Sequence, residues 1–244
     1  ISGYREALTP LWELFSIESS TSVRVEVLNA IADLTPADPA LVGKLNRWVS
    51  RQTDEYRNGE TVDLTVLSEA ALTLGVLGDE SSFPVLFSMS TVGFPDTIAE
   101  KARVALYRIE GDFTELIRRV IRENPATEKL EALRIAVNND NLTAEDKARI
   151  AEHALTEALA MTPQNADERE YQRQIRYESV RVLADYGWSQ ATDEVIAHFD
   201  LLLEEYAVGT GRLSHVLDAI DAVGAMGTHE AAVRLSLYLD VLNS

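Results

Sequence analysis

Ser214, His215 and Asp218 come nearest in this chain to a nucleophile, a base and a carboxylate placed together. Hydrolytic triads normally join distant segments, and neighbours on one helix rarely converge on a reacting atom, so this trio is expected to be structural. The four histidines, His153, His198, His215 and His229, lie far apart, and none forms the His-x-x-x-His pair that holds a metal on one helix face. Gly209-Thr210-Gly211 has part of a phosphate loop's glycine pattern. No strand pattern precedes it and the lysine is missing, so it is expected to be a turn. Carboxylate neighbours such as Asp79-Glu80 and Glu204-Glu205 are inevitable among 40 acidic residues, and adjacent helical positions point apart. With no cysteine, thiol catalysis, disulfides and thiolate metal sites are excluded. No catalytic residue, metal or cofactor is expected, and the chain is not read as an enzyme.

The elements that carry these residues announce themselves by recurrence. Leu74-Gly75-Val76-Leu77-Gly78-Asp79 closes an Ala-rich stretch, and it returns as Val223-Gly224-Ala225-Met226-Gly227 and, more loosely, as Leu183-Ala184-Asp185-Tyr186-Gly187. Aligning Leu34, Leu77, Ile109, Asn138, Tyr186 and Met226 gives spacings of 43, 32, 29, 48 and 40. Three positions upstream stand Ile31, Leu74, Leu106, Ile135, Leu183 and Val223, all apolar. The next position is small in Ala32, Gly75, Ala136, Ala184 and Gly224, with Tyr107 the exception. A small residue there admits a neighbouring helix, and Gly78, Gly111, Asn139, Gly187 and Gly227 suit a left-handed helix end. Apolar residues keep helical spacing throughout, and no alternating strand pattern is sustained. The chain is therefore expected to be nearly all helical. The spacing predicts a first helix over 4–16, then pairs at 22–34 with 39–51, 62–77 with 82–90, and 96–109 with 113–122. Pairs at 126–137 with 143–161, 167–186 with 190–207, and 212–226 with 230–242 complete it. The polar insertions 53–62 and 162–167 are expected to lengthen helices or form edge loops. Thr143 and Asp96 are the expected caps.

This pattern resembles the HEAT family, in particular its short bacterial HEAT-like units. In those, an Ala-Ala-x-x-Leu-Gly-x-Leu-Gly-Asp helix end precedes a second helix that opens near Pro-x-Leu. Residues 70–79 and then Pro84-Val85-Leu86 carry the resemblance best; it spans 22–242 and is weakest in the fourth unit. It implies an all-α, right-handed α-solenoid, with residues 1–244 as one domain. Residues 1–21 would form an N-terminal capping helix, and 22–242 about six antiparallel HEAT-like helix pairs. Tetratricopeptide arrays, with their even period of ~34 residues, fit the uneven spacings badly. In HEAT stacks the second helix of each pair usually lines the concave side. That places the candidate partner-binding residues at Arg47, Trp48 and Arg51, at Phe87 with Met89 beside it, and at Arg118 and Arg122, since Trp and Arg dominate binding hot spots. The alternative for Trp48 is a residue sealing the seam between units. Trp12 and Trp188 are expected in the core or at end caps. HEAT-like hydroxylases bind iron through several His-Glu pairs; this chain has only His229-Glu230, which is expected simply to open a helix.

Net charge is −18, from 40 acidic and 22 basic residues. Such a field repels phosphate backbones, which disfavours nucleic acid and with it the HEAT-like DNA glycosylases. The basic clusters at Arg118, Arg119 and Arg122 and at Arg169, Arg173, Arg176 and Arg181 have as their alternative reading pairing with adjacent acids on a solvated face. No apolar run reaches the ~20 residues of a membrane span. The absence of cysteine and a start at Ile1 lean toward an extracytoplasmic bacterial protein, periplasmic or lipid-anchored through a removed N-terminus, with a cytoplasmic protein as the alternative. The functional expectation is a non-catalytic scaffold that binds a protein or peptide partner, a basic one being favoured. A structural subunit of a larger, cell-envelope assembly would instead expose apolar side chains at the ends of the stack. A small-ligand binder or enzyme would need convergent polar groups in a deep pocket.

Overall fold

Apolar residues recurring three and four apart fold the chain into α-helices, thirteen among the described residues, with no strand among them. A computed structural model describes residues 6–34 and 38–242, with side chains through residue 239. The chain is all-α. The helices are α1 (Leu8–Ile17), α2 (Thr21–Asp33), α3 (Pro39–Arg57), α4 (Leu64–Leu77), α5 (Phe83–Thr91), α6 (Asp96–Leu106) and α7 (Thr114–Glu123). They continue as α8 (Ala126–Asn138), α9 (Ala144–Ala160), α10 (Ala166–Asp185), α11 (Thr192–Ala207), α12 (Leu213–Ala225) and α13 (His229–Leu242). Every helix expected from the sequence has a counterpart, although residue 4 of the expected first helix lies outside the described residues.

The ends of these helices follow their local chemistry. Thr143 accepts the Asp146 N–H at 3.1 Å while the Asp146 carboxylate accepts the Thr143 N–H, a reciprocal cap on α9. Asp38, Asp63 and Asn165 cap α3, α4 and α10 in the same sense. Asp96 does not cap α6. It is the first helical residue, Pro95 precedes it, and its carboxylate adds only favourable charge in the first turn. Gly78 closes α4 in the left-handed region at φ 68°, its N–H bonded to the Leu74 carbonyl. Asn139 was expected to do likewise, yet no residue other than glycine has positive φ among those described. Its buried side chain instead donates to the carbonyls of Leu106 (2.9 Å) and Ile109 (3.2 Å), adding bonds to the carbonyls where α6 ends. The polar stretch after Thr53 is largely helix, because α3 runs on to Arg57.

The chain forms two compact units, residues 1–113 with 138–141 and residues 114–137 with 142–244. In the first, α4 packs against both α2 and α6, and α3 and α5 lie against α4 and α6 respectively and against each other. Gly75 is a point of close approach between α4 and α6, since a Cβ there would stand 2.6 Å from the Ala105 Cα. Leu28, Ile31, Leu45, Leu67, Leu74 and Leu86 are fully buried in this unit. In the second unit, α9 packs on α7, α10 and α11, and α12 on α10, α11 and α13, around Ile117, Leu133, Leu155, Leu183 and Phe199. Each such side chain contributes roughly 1.5–3 kcal/mol by leaving water.

Candidate functional site

Lys44 stands three and four residues before Arg47 and Trp48 on α3, and Arg51 four and three after them, so the four border one face. On α1, Trp12 and Ser16 are one turn apart. These six residues line one recess of about 580 Å³ in the first unit. Its apolar wall is built from below. Phe15 meets Trp48 edge-on with ring centroids 5.1 Å apart, and Trp12 lies 5.3 Å from Phe15. The Arg24 guanidinium sits 4.4 Å over Phe15 and 4.9 Å over Trp48. Burial, with Arg51 nearby, lowers the pKa of Arg24 against the opposing pull of Asp63. Lys44 and Arg47 make no ion pair among the described residues, and Arg51 reaches only Glu55, at 3.7 Å on an exposed surface. Unpaired cations above an indole wall suit a carboxylate with an apolar or aromatic neighbour.

Arg47 also borders a shallower hollow of about 290 Å³, shared with Pro84, Val85 and Ser88 of α5. The recess therefore continues as a strip from α1 across α3 to α5, all within the first unit. Arg47, Trp48 and Arg51 are thus brought together as one surface. Trp48 is 9% exposed, so it is a wall fixed in the core and not a protruding anchor.

Phe87 does not belong to this surface. It stacks on Phe83 at 5.8 Å, Phe83 in turn on Phe113 at 5.4 Å, and it is 6% exposed; Met89 is fully buried. The four-residue step from Phe83 to Phe87 points both rings inward, and Pro84, Val85 and Ser88 take the outer face. Arg118 and Arg122 lie on α7 in the second unit and are not paired with one another. Arg118 bonds Glu115 at 2.8 Å and borders a polar hollow of about 350 Å³ with Arg149, Glu152, His153 and Thr156 of α9. Arg122 is exposed beside Glu123, 3.8 Å away, outside that hollow.

A second constellation in unit 2 has no counterpart in the sequence reading. Arg176 is 1% exposed and ion-paired to Glu205 at 2.9 Å, and Arg173 reaches the same carboxylate at 3.6 Å. Both were expected to pair with adjacent acids on a solvated face; instead Arg176 is buried, Arg173 is half-buried, and both meet an acid on another helix. Next to Arg176, Tyr177 shares a hydrogen bond with His215 Nδ1 at 2.7 Å and stands edge-on to His198 at 5.5 Å. Burial, then Glu205, raises the pKa of Tyr177. Residues 177, 198 and 215 come from α10, α11 and α12, so no local motif could announce them. The available signal was periodic: His198 and Glu205 are seven apart and share a face of α11. Ser214 and Asp218 take no part in the bond of His215, and Gly209-Thr210-Gly211 is a turn closed by bonds to the Glu205 carbonyl. No group of three or more metal-ligating side chains forms among the described residues.

No helix among the described residues is long and apolar enough to cross a membrane. The chain matches no family model, no curated protein and no solved structure.

Proposed function

We propose that this protein is a non-catalytic scaffold of HEAT-like helix pairs whose first unit seats a segment of a protein partner in the recess between α1 and α3. The observation that carries the reading is the convergence of Lys44, Arg47 and Arg51 on the indoles of Trp12 and Trp48 in a chain of net charge −18. Packing of alternate helices, α4 on α2 and α6, and α12 on α10, supports a stack of paired helices. Charge sets the partner's chemistry at two ranges. Over long distances the acidic chain attracts a basic partner, whereas the recess itself selects a carboxylate beside an aromatic or apolar side chain. The seated segment is therefore an acidic, aromatic anchor within an otherwise basic protein.

Selection from a displayed random peptide library tests this, run in parallel on the whole chain and on an Arg47→Glu, Arg51→Glu variant. Both side chains are exposed, so the variant should melt as the parent does. Enrichment of acidic-aromatic peptides on the parent alone is expected, with about tenfold or greater loss of affinity in the variant. Equal enrichment on both would remove the recess as the seat.

A structural subunit of a larger assembly is the second reading, supported by exposed apolar side chains late in the chain. Leu213 and Leu217 on α12 and Val233 and Leu237 on α13 are all exposed. Sedimentation of the chain from dilute to concentrated solution separates the readings: this one requires self-association that Leu217→Glu, Leu237→Glu abolishes, while the scaffold stays monomeric.

A further inference from the structure

Alanine lines a hollow of about 700 Å³ in the second unit, within the size range of small-molecule sites. Ala184 on α10 and Ala219 and Ala222 on α12 leave space where larger residues would close the helix interface. At its base lies His198, 1% exposed, whose buried Nδ1 has no hydrogen-bond partner among the described residues. A buried imidazole nitrogen left unpaired costs roughly 1–3 kcal/mol, which a bound polar group would recover. The imidazole stays uncharged: burial, then Arg176 and His215, push its pKa down to about 3. At the mouth the balance is acidic. Asp185, Asp218 and Asp221 are exposed and make no ion pair among the described residues; Glu178 is held by Arg134 at 2.6 Å, and Arg181 is the single cation among the residues lining the hollow.

We propose that this hollow binds a small arylalkylamine: a ring against the alanine walls, a hydroxyl on the ring reaching neutral His198, and a protonated amine between Asp218 and Asp221. An anionic ligand is opposed at the mouth, and a purely apolar one leaves His198 Nδ1 unpaired. The site is separate from the partner seat in the first unit and does not depend on it.

Calorimetric titration of the whole chain with tyramine, phenethylamine and 4-hydroxyphenylacetate tests each part. Tyramine should bind tightest, phenethylamine about tenfold more weakly for want of the hydroxyl, and 4-hydroxyphenylacetate not at all. Asp218→Asn, Asp221→Asn should weaken both amines alike, since both carboxylates are exposed and their loss leaves the fold intact. His198→Phe should erase the advantage of tyramine over phenethylamine without abolishing either. Ala222→Leu should block both amines by filling the hollow, and circular dichroism of each variant establishes that it folds. Binding of 4-hydroxyphenylacetate as tight as that of tyramine, binding of none, or amine binding indifferent to the Asp218 and Asp221 changes would each overturn the proposal.

Discussion

At Gly75 the packing of the first unit leaves no room for a side chain, because the obstacle to a Cβ is the backbone of Ala105, which cannot rotate away. Gly75→Ala is expected to cost ~1–3 kcal/mol by overpacking, although alanine is the better helix former. Gly224 occupies the same repeat position but has nothing within 4 Å of an added Cβ, so Gly224→Ala should be neutral or stabilising by chemical denaturation. The sequence showed that both positions are small; it could not show that only one is crowded. Titratable residues carry two further expectations. His198 has its pKa pushed down to about 3, so between that value and its unfolded value of about 6.5 the unfolded chain binds the extra proton. Its contribution to stability is complete above about pH 6.5 and is lost progressively as pH falls toward about 3. His198→Gln should flatten the fall of Tm over that window, and an unchanged slope would contradict a neutral buried imidazole. Burial alone would raise the pKa of Asp63, but hydrogen bonds from Thr21, Val66 and Thr65, together with the charge of Arg24, outweigh it and lower the pKa. That stabilisation is present above the ordinary aspartate pKa of about 3.9 and is lost as pH falls through the lowered value. In Asp63→Ala the cap is gone at every pH, so the cost of about 0.5–2 kcal/mol near neutrality should shrink in acid.

Helices were legible because their signals are local. Apolar spacing, Pro84 at the start of α5, the Thr143 cap and Gly78 after α4 each act within a turn or two of chain. Register was legible too, and Leu74 and Leu183, read as equivalent core positions, are both fully buried. Leu74→Ala or Leu183→Ala should each destabilise by ~2–5 kcal/mol in denaturant melts; parent-like midpoints would show that these helices pack by other faces. What stayed hidden depends on partners far along the chain. Arg176 looks like a surface charge until Glu205, on another helix, is known to meet it. Phe87 looks like an exposed anchor until Phe83 and Phe113 are seen stacked beneath it. Arg47, Trp48 and Arg51 were found in sequence because a single helix face carries all three, whereas Tyr177, His198 and His215 needed three helices.

Across the whole chain, a charge of −18 sets the conditions under which any partner arrives. Attraction of a basic partner should speed association at low salt and fade as ionic strength rises past about 0.15 M, where the Debye length is about 8 Å. Contacts in the recess are short-ranged and should chiefly govern dissociation. Trp12 and Trp48 lie in the recess, while Trp188 lies in the second unit, bonded to Glu152 at 2.8 Å. Indole emission therefore reports directly on the proposed seat once Trp188 is replaced by Phe. The decisive measurement is that emission in the Trp188→Phe chain during titration with a selected acidic-aromatic peptide, repeated with Arg47→Glu, Arg51→Glu added. A saturable change in the first protein and none in the second is the predicted result. An identical change in both, or a peptide that binds without altering the emission, would contradict a partner seat between α1 and α3.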